Sequence, residues 1–207
     1  SRWALRTDQS VMSDLFPSEI IAGIDEVGRG PLAGPVVTAA VILPQPIEGL
    51  ADSKTLSKKR REALFPLIMS QALVGVGAAS VTEIDQLNIL HATMLAMRRA
   101  VQRLPATPTL ALVDGNQNPG LGLRTELIVK GDSKVSEISA ASIVAKVIRD
   151  RLMSKLALKY PVYGWESNVG YGAKRHRDAM AAQGVTAHHR RSFAPLRQWL
   201  ETETFVA

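Results

Sequence analysis

Short apolar runs and longer amphipathic stretches alternate along the chain, and their order predicts the fold. Runs that are rich in β-branched residues and bounded by glycine or proline predict two initial strands joined by a turn over residues 27–34. The predicted strands lie at 20–24, 36–43, 74–81, 109–114 and 126–130. Helical patterns cover 57–71, 88–104, 136–159, 173–183 and 194–201.

Strands that come first in a run and then alternate with helices favour a mixed sheet flanked by helices. We therefore expect one α/β domain over residues 20–201, with a helical C-terminal portion from about residue 160. Residues 1–19 are predicted to form a flexible leader and 202–207 a tail. The longest apolar runs, such as Val36 to Leu43, are far shorter than the ~20 residues of a membrane-spanning helix. No apolar signal segment opens the chain, so a cytoplasmic protein without membrane contact is expected.

The absence of cysteine from all 207 residues changes which chemistry is available. Disulfides, cysteine nucleophiles and thiolate zinc sites are excluded, so any metal must be held by oxygen or histidine. Oxygen-bound Mg²⁺ or Mn²⁺ is then the first expectation.

The charge balance favours an anionic partner. The chain has 25 Lys and Arg residues against 19 Asp and Glu, a formal net charge of +6. Such a balance suits nucleic acid, although a protein with an ordinary basic surface would share it.

The first candidate site is a pair of adjacent acids, Asp25 and Glu26, at the end of an apolar strand and directly before a glycine-rich turn. Neighbouring side chains on a strand point to opposite faces, so both acids reach one site only if the strand ends or twists at Asp25. Gly28 and Gly30 supply the conformational freedom for that. An acidic turn facing water is the alternative. The glycine spacing does not fit a dinucleotide or nucleoside triphosphate loop, and carboxylates would repel phosphate without a cation between them.

Two further acids occupy comparable positions. Asp114 ends an apolar strand, and Asp132 precedes the helix that is predicted from Ser136, which it could alternatively cap. If the four acids converge, they match two-metal phosphodiester hydrolysis, in which hard oxygen ligands hold two ions ~4 Å apart around the scissile phosphate.

Basic and aromatic side chains supply candidate contacts to a nucleic acid. Lys54 lies in a loop beside a serine, and Ser142, Lys146 and Arg149 share one face of a predicted helix, where they could bind phosphates. Tyr171 stands between glycines and can lie flat on a sugar or base, or it can pack in the core.

Two other polar clusters are less specific. The run Lys58 to Arg61 is more typical of a solvated helix face than of a binding site. His188 and His189 lack a spaced third ligand, which favours polar groups at the surface, or polar groups that support a site without entering it, over a metal site.

Taken in order and spacing, these motifs resemble the bacterial ribonuclease HII family from about residue 20 to 197. The matching segments are Gly23 to Gly34, Asp52 to Ser57, Val113 to Gly115, Lys130 to Ser133, Ala140 to Asp150, Gly170 to Gly172 and His188 to Phe193. The resemblance implies a ribonuclease H-like fold. It also implies an endonuclease for the RNA strand of RNA/DNA hybrids, or for duplex DNA with an embedded ribonucleotide. Cleavage would fall 5′ of the ribonucleotide and leave 3′-hydroxyl and 5′-phosphate ends.

The resemblance also implies roles for individual residues. Asp25, Glu26, Asp114 and Asp132 would hold the Mg²⁺ or Mn²⁺ ions, with Asp150 as a rival for the fourth position.

Substrate recognition follows by the same resemblance. The segment Gly28, Arg29 and Gly30, together with Tyr171, would read the ribose 2′-hydroxyl, and Lys54 would lie near the substrate backbone.

The chain also departs from the family pattern. Val169 replaces a lysine that many relatives carry before the Gly-Tyr pair. Because only a short segment precedes Asp25, we expect no N-terminal substrate-binding domain of the ribonuclease HIII kind, and we recognise no clamp-binding peptide after Leu200. We therefore expect a monomer with no protein partner readable from the sequence.

The alternative function is a non-catalytic nucleic-acid-binding protein with a regulatory metal site. It is disfavoured because a pure binder gains nothing from four acids beside phosphates.

Overall fold

The computed structural model describes residues 19–50 and 56–201. Within them, one mixed sheet has the strand order β3-β2-β1-β4-β5. The strands are β1 (Ile21–Val27), β2 (Val36–Ile42), β3 (Leu73–Ala79), β4 (Leu110–Asp114) and β5 (Arg124–Ile128). β1, β2 and β3 pair antiparallel, whereas β4 runs parallel to both β1 and β5. The predicted α/β class with a mixed sheet is confirmed.

The helices are α1 (Lys58–Gln71), α2 (Val81–Gln102), α3 (Ser136–Lys159), α4 (Trp165–Asn168), α5 (Lys174–Gln183) and α6 (Ala194–Glu201). Two short 3₁₀ turns lie at Gly131–Ser133 and Pro161–Tyr163. The predicted leader, the tail and the segment 51–55 lie outside the described residues, so the predicted domain boundaries stay predictions.

One helix begins earlier than its apolar pattern predicts. α2 starts at Val81 because Ser80 and Glu83 form a capping box, in which each side chain accepts the other residue's backbone N–H. The predicted start, Asn88, is instead an interior kink with φ 67°, and its side chain accepts the amide of His91. β3 correspondingly ends at Ala79, two residues before its predicted end.

The central strands of the sheet are buried between two long helices. Ile24, Ala111 and Val113 pack with Met97 and Ala100 of α2 on one face. On the other face, Leu110 and Leu112 pack against Ile138 of α3. β1 and α3 approach so closely that a Cβ at Gly23 would lie 2.1 Å from the carbonyl carbon of Glu137, so this position requires glycine.

The chain after residue 160 forms a second, aromatic cluster, which confirms the helical C-terminal portion. Tyr163 and Trp165 stack with ring centroids 5.1 Å apart, and Met153, Met180 and Leu196 are buried around them. No helix in residues 19–50 and 56–201 is long and apolar enough to cross a membrane.

Candidate active site

Asp25 and Asp114 lie side by side at one end of the sheet. β1 and β4 are parallel, and their last paired residues are Ile24 and Val113, so the next residue of each strand is an acid at the same level. Residues at the same level of parallel strands point to the same face. The structure thus brings together two acids that are 89 positions apart in the sequence.

Glu26 points to the opposite face of β1. It lines a cavity of about 170 Å³ together with Asp114, Arg29 and residues of α2 that include Thr93 and Met97. The predicted end of the strand at Asp25 is wrong, because β1 stays paired with β2 as far as Val27. The pairing of β1 with β4 does end, after Ile24 and Val113, and this opens the sheet beside Asp25 and Asp114.

The electrostatics of the three carboxylates are those of a site without enough positive charge. Burial raises the pKa of Asp25 well above its usual range, and the charges of Glu26 and Asp114 raise it further. Hydrogen bonds from the Glu26 amide, at 2.8 Å, and from Ser142 oppose this shift of the Asp25 pKa. Burial also raises the pKa of Glu26, although Arg29, 3.4 Å from its Oε1, acts in the opposite direction.

Asp132 is buried in the 3₁₀ turn between β5 and α3. The turn is tied to Asp114, because the amide of Gly131 donates to Asp114 Oδ1 at 2.6 Å. The rival acid Asp150 is engaged elsewhere: its Oδ1 forms an ion pair with Lys146 at 2.8 Å on the surface of α3.

The acids fit a divalent cation by their chemistry more than by their present geometry. Oε2 of Glu26 is buried and has no hydrogen-bond partner, which is costly for a carboxylate oxygen unless a cation binds it. Among the described residues, no three Asp, Glu, His or Cys side chains are already arranged around one metal position. Side-chain rotation of Asp25, Glu26 or Asp114 would therefore have to accompany metal binding.

Two buried arginines shape the glycine-rich turn after Glu26. Gly28 has φ +92°, and a Cβ there would lie 2.1 Å from Nε of Arg149, so only glycine fits. Arg190 donates to the carbonyls of Gly28, Arg29 and Gly34 at 2.5, 2.8 and 2.9 Å. Arg29 and Gly30 remain exposed on the outer side of the turn.

Arg149 holds the rest of this turn. Its guanidinium donates to the carbonyls of Pro35, Val169 and Ala33 at 2.9, 2.8 and 3.0 Å, and the residue is only 1% exposed. The prediction that Arg149 binds phosphates from the face of α3 is therefore wrong.

Tyr171 lies beside the same turn. It is 49% exposed, and its Cε1 would be 3.1 Å from a Cβ placed on Gly30. The backbone of the two segments is also joined, because the amide of Leu32 donates to the carbonyl of Gly170 at 2.8 Å. Tyr171 is thus a partly exposed surface on the turn, and the core-packing alternative for it is wrong.

The remaining predicted contacts are spread around the acids. Ser142 and Lys146 are half-buried on α3, with Ser142 bonded to Asp25 and Lys146 paired with Asp150. Lys54 lies outside the described residues. Val169, which replaces the family lysine, has φ +45° and contributes its carbonyl to Arg149.

Sequence reasoning missed Arg149, Arg190, His176 and His189 as elements that shape the site. For Arg149 a signal was present, because Ala141, Ala145, Arg149, Met153 and Ala157 recur every four residues and all are buried. For Arg190 and the histidines, no pattern in the sequence indicates burial.

Comparison with known proteins now gives the class. The ribonuclease HII family model matches residues 22–196. A ribonuclease HII of Shewanella amazonensis is 57% identical over 187 residues, which cover 89% of this chain and 91% of that protein. Ribonuclease HII in a PCNA complex from Archaeoglobus fulgidus superimposes with a TM-score of 0.73 at 29% identity, over 84% of this chain and 95% of that one. A ribonuclease HIII called Bst-RNase HIII, solved with Mn²⁺, shares the fold with a TM-score of 0.73 at 20% identity, over 98% and 76% of the two chains.

The fold and these matches define a nuclease with the ribonuclease H-like fold. Within that class the chain belongs to the ribonuclease HII family, whose members hydrolyse the RNA strand of RNA/DNA hybrids.

Proposed function

We propose that this protein cuts RNA strands and also duplex DNA on the 5′ side of embedded ribonucleotides, by a two-metal-ion mechanism that leaves 3′-hydroxyl and 5′-phosphate ends. The observation that carries the proposal is the meeting of Asp25, Glu26 and Asp114 where β1 and β4 part. Their mutual repulsion and the unpartnered Glu26 Oε2 make this end of the sheet a place where positive charge is stabilised.

Asp25, Glu26, Asp114 and Asp132 would hold Mg²⁺ or Mn²⁺. Bound there, the ions supply the positive charge that activates an attacking water and stabilises the leaving oxygen. The protein's contribution is positioning: the Gly131 amide orients Asp114, and Ser142 together with the Glu26 amide orients Asp25. The choice of Asp132 over Asp150 is supported by the link between the Asp132 turn and Asp114.

Recognition of the ribose would use the outer side of the turn. Arg190 occupies the carbonyls of Gly28 and Arg29 from the buried side, so the turn has a fixed shape before substrate arrives. The exposed backbone at Arg29 and Gly30 would then reach the 2′-hydroxyl, and the ring of Tyr171 would lie against the neighbouring sugar. Such polar recognition discriminates strongly, because an absent hydroxyl leaves the site's own groups unpaired.

Contacts to the phosphate backbone would come from Lys54, Ser142 and Lys146. Lys146 would have to exchange its ion pair with Asp150 for a phosphate, which is a modest rearrangement for a half-buried surface pair.

The test is cleavage of three duplexes: an RNA/DNA hybrid, DNA with one ribonucleotide, and all-DNA. With Mg²⁺ or Mn²⁺ the first two should be cut and the third left intact, and chelator should stop cleavage. Asp114→Asn should lower cleavage at least about a hundredfold, because metal catalysis supplies several kcal/mol of barrier lowering.

Asp178→Asn is the matched control, since Asp178 is an exposed acid that pairs with Lys174 on α5. Near-normal activity of Asp114→Asn at saturating Mg²⁺ would contradict the two-metal assignment. Binding of duplex without metal-dependent cleavage would instead favour the non-catalytic alternative.

A further inference from the structure

Two buried histidines join the segments that flank the proposed ribose site. His176 lies on α5 and His189 lies before Arg190, and both are nearly inaccessible to solvent. Their Nε2 atoms are 3.1 Å apart, and the rings are packed by Tyr163 and Trp165.

The protons on both rings are assigned by their fixed partners. The amide of Thr186 can only donate, and it donates to His189 Nδ1 at 2.9 Å, so the proton of His189 is on Nε2. Trp165 Nε1–H likewise donates to His176 Nε2 at 3.1 Å, while the carbonyl of Tyr171 accepts from His176 Nδ1 at 2.8 Å. His189 Nε2–H therefore donates to His176 Nε2, whose single lone pair it shares with Trp165 Nε1–H, and a directed series of hydrogen bonds runs from Thr186 to the Tyr171 carbonyl.

The backbone beside His189 is attached to the glycine-rich turn. Ala33 and His189 form an isolated β-bridge, and the amide of Gly34 donates to the carbonyl of His188 at 2.9 Å. The side chain of His189 thus leads to Tyr171, while its backbone leads to the turn on which Gly30 lies.

We propose that His176 and His189 are positioning residues for ribose selection: the neutral pair holds Tyr171 at a fixed distance from the Gly28–Gly30 turn. The proposal rests on the function proposed above, in which Tyr171 contacts the sugar. Misplacement of a positioning group by about 1 Å can reduce the rate about a hundredfold. A hydrogen-bonded link between the Tyr171 segment and the Gly28–Gly30 turn therefore affects the rate without contacting the substrate.

The surroundings keep both rings neutral. Burial lowers the pKa of His189 to about 3, with His176 and His188 adding to the effect, and burial also lowers the pKa of His176. The groups that face the pair are His188, which has Lys159 nearby, and the rings of Tyr163 and Trp165. The series of hydrogen bonds from Thr186 to the Tyr171 carbonyl is therefore intact throughout the neutral pH range.

The experiment uses paired amide substitutions that replace one ring nitrogen at a time. The side-chain amide nitrogen of asparagine is bonded to Cγ, as Nδ1 of histidine is. The amide nitrogen of glutamine lies further along the side chain, near the position of histidine Nε2. His176 makes both bonds of the link, from Nδ1 to Tyr171 and at Nε2 with His189, so His176→Asn and His176→Gln should each lose activity. At His189 only the bond from Nε2 to His176 belongs to the link, so His189→Gln should retain activity and His189→Asn should lose it.

We expect the disruptive variants, His176→Asn, His176→Gln and His189→Asn, to lose about tenfold or more in kcat/KM on DNA with one ribonucleotide, mainly in kcat, and His189→Gln to stay within about threefold. His188→Gln is the control, since that ring is packed edge-on against Tyr160 and Trp165. Combined with Tyr171→Ala, the disruptive variants should cause no additional loss. Thermal unfolding of every variant reports whether it folds.

Equal activity of His189→Gln and His189→Asn, or full additivity with Tyr171→Ala, would overturn the inference, because either result describes a role in packing alone. Wild-type activity of Tyr171→Ala would overturn the proposed ribose contact itself. If the His176 variants do not fold, the difference between His189→Gln and His189→Asn decides the matter, and the absence of a difference counts against the proposal.

Discussion

Replacing Arg149 by methionine tests how the structure holds its glycine-rich turn. Arg149→Met keeps a flexible side chain of similar length in the buried position and removes the guanidinium. The three carbonyls of Ala33, Pro35 and Val169 then lose their donors.

The magnitude follows from those three contacts. Hydrogen bonds to a charged group contribute about 1.5–3 kcal/mol each, or about 4.5–9 kcal/mol for three. Burial lowers the pKa of Arg149 to about 10, so the group is charged at neutral pH and its desolvation opposes folding. Those values already include desolvation, but three contacts made by one guanidinium are not additive, so we expect a loss in the free energy of unfolding of about 3–5 kcal/mol.

The assay is urea unfolding followed by tryptophan fluorescence, with Arg151→Met as the control. Arg151 lies one half-turn further along α3, is 51% exposed in its side chain, and pairs with Glu62 while covering Phe65. Its replacement should change the free energy of unfolding by less than about 1 kcal/mol. If Arg149→Met were no more destabilised than Arg151→Met, the turn would be held by other contacts, and the reasoning about buried guanidinium groups would be wrong here.

Three further outcomes are expected. Because the pKa of Asp25 is raised in the folded protein, the folded state keeps a proton on Asp25 that the unfolded chain releases above about pH 3.8, the ordinary pKa of this side chain. The free energy of unfolding therefore falls as the pH rises above that value. Asp25→Asn should therefore raise the free energy of unfolding at pH 7 but not at pH 3, and Mg²⁺ should raise the melting temperature of the wild type more than that of the variant; equal pH dependence in urea unfolding would refute this. Thr38→Val should stabilise the fold by about 1–3 kcal/mol in the same assay, because the buried Oγ1 of Thr38 has no hydrogen-bond partner, and a loss of stability would reveal one. Lys54→Ala should reduce the slope of log affinity for duplex against log salt by roughly one, and an unchanged slope would place Lys54 outside the interface.

The sequence predicted the layers of the fold because burial leaves a local periodic trace. The short apolar runs became β1, β2 and β4, and the long helical pattern from Ser136 to Lys159 is α3. Boundaries failed where a capping interaction decided them, as at Ser80. A cap depends on one or two side chains, and a periodic pattern does not register it.

The candidate acids could also be named in advance, because Asp25, Glu26 and Asp114 each follow an apolar run that ends at a turn. Their proximity could not be derived from local pattern. It depends on β1 pairing in parallel with β4 in one register, and a shift by one residue would place Asp114 on the other face of the sheet.

What the sequence determined by itself was therefore the set of elements, the family and the residues with reactive chemistry. The tertiary structure alone decided which charges are buried and what they hold. Arg190 has no sequence signal of burial, and Arg149 has only its place in a four-residue period; each donates hydrogen bonds to a carbonyl more than a hundred positions away, at Gly34 and Ala33 respectively. A charge can be buried only where such partners are assembled. Folding assembles them from distant segments, and the sequence of one segment does not indicate which other segment it will contact.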